Sequence, residues 1–186
     1  MNDQGQQARF AEAEQKLKAR YASQPILKVV TAQPEHYQVL GDLTIRAYEP
    51  LMPTMYTDGY VEELADVAGR ANQARVFAAL LNGHVIGGIT YISDGASELH
   101  EIDDKSVATI RFLAVDPSSQ SLGAGRALVE ACLQQALTDN HAAVALHTTE
   151  RMTAAVALYT TFGFKRKPAL DRWWGPVHGL AYRLEM

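Results

Sequence analysis

Gln120-Ser121-Leu122-Gly123-Ala124-Gly125-Arg126 sets two glycines one residue apart at the head of an amphipathic run. Glycine leaves room for a ligand to approach the backbone, and the unpaired N–H groups of a helix's first turn bind anions. The segment therefore suits a pyrophosphate. Small residues at a helix start also serve plain packing, so context decides. A P-loop is excluded, because Arg126-Ala127 follows Gly125 where Lys-Ser/Thr is required. A dinucleotide fingerprint fits poorly: Leu128 fills the place of its third small residue, and no acidic residue closes the apolar run Ala142 to Leu146.

A second group of residues could move protons. Tyr159 carries a phenol on the same apolar face as Ala155 and Phe162. Glu98, Glu101, Asp103 and His147 are candidate bases, since a carboxylate or an imidazole accepts a proton near neutrality. The bland alternatives are an aromatic core, a solvated acidic loop and a hydrogen-bonded core histidine. Asp94, Glu98, Glu101, Asp103 and Asp104 face only His100 as a cation within their own segment, a composition that would draw cationic ligands. Trp173 and Trp174 suit a pocket wall, a core edge or a dimer contact.

The elements that must position these residues follow from periodicity. Phe10, Ala13, Leu17 and Tyr21 mark an amphipathic helix ending before Pro25. Ile26 to Val30 reads as a strand and His36 to Tyr48 as a helix, and Pro50 to Tyr60 as a loop before a helical pattern through Val61, Leu64, Ala65 and Ala68. Val76 to Leu81 and His84 to Ile92 flank Asn82-Gly83, the signature of a type I′ hairpin. Val107 to Val115 is a further strand, stopped by Asp116-Pro117. Leu122 to Leu137 is a helix, Ala142 to Leu146 a strand, Glu150 to Phe162 a helix stopped at Gly163, and Gly179 to Leu184 a closing strand. Trp173 to His178 reads as a loop. The 186 residues fit one mixed α/β domain, residues 25–186, behind an N-terminal helical extension, residues 1–24.

A net charge of -4 argues against general affinity for nucleic acid or an anionic membrane. Cys132 is the sole cysteine, so no intrachain disulfide or cysteine-based zinc cluster can form, and no metal is expected. No run is apolar enough to span a membrane or serve as a signal peptide, which points to a cytoplasmic protein acting on small molecules.

With Gln120, Gly123 and Gly125 preceded by Ile110-Arg111-Phe112-Leu113-Ala114-Val115-Asp116-Pro117, and followed by Ala155, Leu158, Tyr159, Gly163 and Phe164, the chain resembles the GNAT group of N-acetyltransferases. The resemblance runs roughly from Ile26 to Met186. It implies the acyl-CoA N-acyltransferase fold, a mostly antiparallel sheet splayed at its fourth and fifth strands and flanked by helices. It implies acetyl-CoA as cosubstrate, its pantetheine arm paired with the backbone of Leu113, Ala114 and Val115. Its pyrophosphate would lie on Gln120, Ser121, Leu122, Gly123, Ala124, Gly125 and Arg126. Direct transfer to a primary amine, on a small molecule or a peptide, would use Tyr159 as the acid, and a homodimer is an allowed assembly. Two positions depart from the family pattern: Met152 stands where Asn is frequent, and Thr109 where many members carry a basic Glu. Thr109 motivates a rival reading, a noncatalytic acyl-CoA sensor or interaction module; a flavin- or dinucleotide-binding protein is a weaker one.

Overall fold

The structure, a computed structural model, describes residues 9–16, 26–54 and 59–186. Residues 9–16 are helical (α1), while Leu17, Tyr21 and the expected boundary at 24/25 lie outside the described residues. One eight-stranded sheet organises the rest: β1 (Leu27–Thr31), β2 (Arg75–Leu81), β3 (His84–Ile92), β4 (Val107–Val115), β5 (Ala143–Thr148), β6 (Lys165–Arg166), β7 (Arg172–Trp174) and β8 (Val177–Glu185). Their order is β1-β2-β3-β4-β5-β8-β6, with β7 paired to β8. Among the described residues only β4 and β5 pair in parallel. Asn82 and Gly83 both take left-handed φ, 51° and 85°, as a type I′ turn demands.

Helices α2 (Pro34–Tyr48), α3 (Tyr60–Ala65) and α4 (Val67–Gln73) pack on one face, and α5 (Ala124–Thr138) and α6 (Thr153–Thr161) on the other. Strand alternation shows the division. Phe77 and Ala79 of β2 join the core with Leu128 and Cys132 of α5, whereas Val76 and Ala78 join Leu40 of α2 and Val67 of α4. The helical pattern expected through Val61 to Ala68 is two helices, because the Asp66 carboxylate accepts from the Gly69 N–H at 2.7 Å and starts α4 afresh. Arg70, buried on α4, closes α3 by donating to the Glu63 and Leu64 carbonyls. The segment expected as a loop around Trp173-Trp174 is instead the β7–β8 hairpin, turning at Gly175 with φ 57°. None of the helices among the described residues is long and apolar enough to cross a membrane.

A β-bulge in β4 shapes the centre of the sheet. Thr90 pairs with Arg111 and Gly88 with Ala114, so β3 sets one residue, Ile89, against Phe112 and Leu113. Phe112 takes the left-handed φ of 54°. The extra residue flips the strand's alternation. Ala108 and Ile110 face α5, but after the bulge Leu113 and Val115 do, and Phe112 and Ala114 join Tyr48 and Leu64 opposite. Arg111 and Phe112 consequently share a face, the guanidinium carbon lying 4.4 Å from the ring centroid. Arg70 lies over the same ring at 4.5 Å. Beyond Thr109 the pairing of β4 with β5 stops, and β5 continues against β8 alone. The two strands part there, which leaves a wedge open between them.

Candidate active site

Two cavities occupy this wedge. The larger, about 560 Å³, runs past Leu113, Ala114 and Val115 to Gln120, Ser121, Gly123, Ala124, Gly125 and Arg126. Leu122, half exposed, is left out of its wall. Ser121 and Gly123 have φ of 66° and 85°, and no side chain caps the start of α5, so its first-turn N–H groups are left to a ligand. The β5-facing edge of β4 past Thr109 has no strand partner. An extended arm bearing amide groups and ending in a pyrophosphate fits both features.

Gly125 also serves packing. A Cβ there would sit 3.4 Å from Leu158 and 3.6 Å from Val115, an allowed contact for alanine but a crowded one for anything branched. Arg126 is exposed, tied to Glu130 at 3.1 Å and laid over the Phe162 ring. Arg151, a second cation on this wall, escaped the reading of the sequence because nothing in its neighbourhood marks it as a ligand.

The smaller cavity, about 240 Å³, is lined by residues from six elements, the loop before β4 and the loop between β5 and α6. Its aromatic walls are Tyr48, Tyr60, Phe112 and Trp174, and its polar groups include Glu63, Glu101, Arg111, His147 and Thr149. Tyr48 and Met152 border both cavities, and so mark where the two meet. Met152 accepts from the Thr148 hydroxyl through its sulfur at 3.3 Å, so that side chain bonds to the protein.

Of the four candidate bases, the fold brings together two. Nδ1 of His147 lies 3.5 Å from a Glu101 carboxylate oxygen, and the other oxygen of Glu101 lies 3.3 Å from Nη2 of Arg111. Nε2 of His147 is 2.8 Å from the Leu170 carbonyl, a pure acceptor, so Nε2 holds the proton in the neutral ring and Nδ1 presents its lone pair. Trp174 fixes the ring edge-on at 5.4 Å. Glu98 and Asp103 line neither cavity. Asp94 accepts from its own turn at Ala96, and Asp104 binds Arg183 at 3.0 Å, so the acidic segment does not present five free charges. Trp173 is stacked on His178, away from both cavities. Glu63 and Arg111 escaped the sequence reading as site residues, since the bulge that gathers them has no sequence mark.

Tyr159 lines neither cavity. Its ring lies 5.6 Å from that of Phe164, and burial pushes its phenol far above the ordinary range, with a further push from nearby Tyr48. Burial raises Tyr48 to about 12.

The model of the acetyltransferase (GNAT) family matches residues 41–164, more than half of the chain, and the protein belongs to that family. The N-acetylaspartate synthetases of Rattus norvegicus and Homo sapiens are each 33% identical to it over 97 residues, 52% of this chain and 30% of theirs. The chain thus spans under a third of the length of these relatives. Among solved structures, a GNAT-family acetyltransferase from Staphylococcus aureus Mu50 superposes with a TM-score of 0.68 at 14% identity, over 86% of this chain and 99% of its own. Salmonella typhimurium YncA, solved with its cofactor acetyl-CoA, gives 0.62 at 15% identity, over 86% and 93%. Both likenesses establish the fold.

Proposed function

We propose that the protein transfers the acetyl group of acetyl-CoA to a primary amine in a ternary complex. The observation that carries this reading is the meeting of two cavities at Tyr48 and Met152, one suited to a long phosphorylated thioester and the other to a small amine. Acetyl-CoA supplies the acetyl group as a thioester. Backbone N–H groups of Ser121 to Arg126 hold its pyrophosphate, and Leu113 to Val115 take its amide arm. Glu101 and Nδ1 of His147 accept the proton that the amine sheds as its nitrogen bonds the acetyl carbon and the carbon–sulfur bond breaks. By the family resemblance Tyr159, kept neutral by burial, is the donor to the departing sulfur, although it lines neither cavity. A second reading gives that donation to Tyr48, because it borders both cavities. By their name the relatives make N-acetylaspartate, so amino-acid amines belong among the acceptors.

The test is thiol release from acetyl-CoA with a panel of amines, beside melting with and without CoA. A ligand bound only by the native state stabilises it by RT ln(1 + [L]/Kd), about 2.7 kcal/mol at 100 times Kd, or roughly 5–10 °C for a chain of this size. Melting unmoved by millimolar CoA would refute the assignment. Binding without release for any amine would leave the sensor reading instead.

A further inference from the structure

Resting on that acceptor cavity, we propose that it holds a carboxylate as well as an amine, through Arg111 and Thr149, so that the acceptor is a free α-amino acid. Arg111 stands on β4 with its guanidinium flat on Phe112, and its Nη2 alone meets Glu63 at 3.1 Å and Glu101 at 3.3 Å. Among the described residues its Nε and Nη1 have no hydrogen-bond partner, although a guanidinium offers five N–H donors. Thr149, 8% exposed, lines the same cavity, and its hydroxyl is buried with no partner. The Thr109 hydroxyl is also buried and unpaired, but Thr149 differs from it in lining the cavity, where a ligand can answer it.

The charges point to a zwitterion. Glu63 and Glu101 outnumber Arg111 in the cavity, which leaves one negative charge for an ammonium to meet. A monoamine or polyamine answers that charge but leaves the remaining guanidinium donors and the Thr149 hydroxyl dry. An amino acid answers both, because Glu101 touches Arg111 on one oxygen and His147 on the other, placing cation and proton acceptor on either side of one carboxylate. The cavity, about 240 Å³, accepts a molecule of that size. A side chain presented on a folded protein would have to bring its own carboxylate into the same space.

Matched compounds test this directly: L-leucine, L-phenylalanine and L-lysine, each against its amide and its decarboxylated amine, with thiol release as the readout. The wild-type protein should favour at least one acid over both its partners by roughly 10- to 100-fold in kcat/KM, the range expected when a buried polar group is left unpaired. Thr149→Val and Arg111→Met should each cut that preference mainly by lowering kcat/KM for the acid, with KM for acetyl-CoA unchanged. Arg111→Lys, which keeps the charge, should recover part of the loss and guards against a misfolded Arg111→Met. Amides or amines used as well as the acids by the wild type would overturn the carboxylate site and leave acetyl transfer standing. No release with any amine, despite CoA binding, would overturn both.

Discussion

At the scale of single residues, the proposed transfer needs a phenol to protonate the leaving sulfur, and two compete for that part. Tyr159 has the position on α6 that the family resemblance assigns to the acid, and Tyr48 has the cavity walls. Each is kept protonated by burial, so pH does not separate them, but removing one hydroxyl does. If Tyr159 is the acid, Tyr159→Phe should lower kcat about 10²-fold with little change in acetyl-CoA affinity, and Tyr48→Phe should act mainly on acceptor KM. Wild-type kcat in a Tyr159→Phe protein that melts normally would hand the role to Tyr48. Thr109 needs no such test. Its hydroxyl is buried without a partner on the stretch of β4 still paired to β5, and the proposed transfer takes its proton acceptors from Glu101 and His147 instead.

At the scale of elements, the bulge in β4 does most to build the site. A bulky residue held at left-handed φ costs about 1–3 kcal/mol, and Phe112 is held there by burial and by two guanidinia over its ring. Replacing it with glycine relieves the strain but removes a core aromatic, a change worth about 3–5 kcal/mol, so burial should win. Phe112→Gly is expected to lower stability by ~2 kcal/mol in urea unfolding and to raise acceptor KM as Arg111 loses its seat. A neutral or stabilising result would mean that the strain dominates. This element also shows where sequence reading stops. The alternation of Val107 to Val115 marks a strand and Asn82-Gly83 marks its neighbouring hairpin, because both signals are local. Nothing local in Arg111-Phe112-Leu113 announces a bulge, since Phe lacks the preference for positive φ that Gly or Asn would advertise. The acceptor cavity was hidden for the same reason, being assembled from positions as distant as Glu63 and His147. The glycines at 123 and 125 stand out in the sequence and do line the larger cavity, but the contact of Gly125 with Leu158 has no sequence mark.

At the scale of the whole molecule, five weak acids among the described residues are held in their neutral forms by partial or full burial. Tyr48, Tyr60, Tyr91, Tyr159 and Cys132 all have raised pKa values, burial being the largest cause in each, and at Tyr91 the Asp139 carboxylate, 2.9 Å from the phenol oxygen, adds to it. The unfolded chain releases these protons at ordinary values, near 9.0 for the thiol and 10.0 for the phenols, while the native state still holds them. Above pH ~9 the unfolded state therefore binds fewer protons than the native, and stability must fall as pH rises. Each group contributes a slope of at most about 1.4 kcal/mol per pH unit, so several together outweigh any single surface ion pair, worth about 0–1 kcal/mol. Urea midpoints should be level between pH 7 and 8.5 and drop steeply between pH 10 and 11. Tyr48→Phe deletes one titrating group, that of Tyr48 with its native value of about 12, and should make the drop shallower without moving the plateau's alkaline edge. A midpoint that stays flat to pH 11 would show that the phenols reach water in the native state, and with it that the wedge between β4 and β5 is wetter than its packing implies.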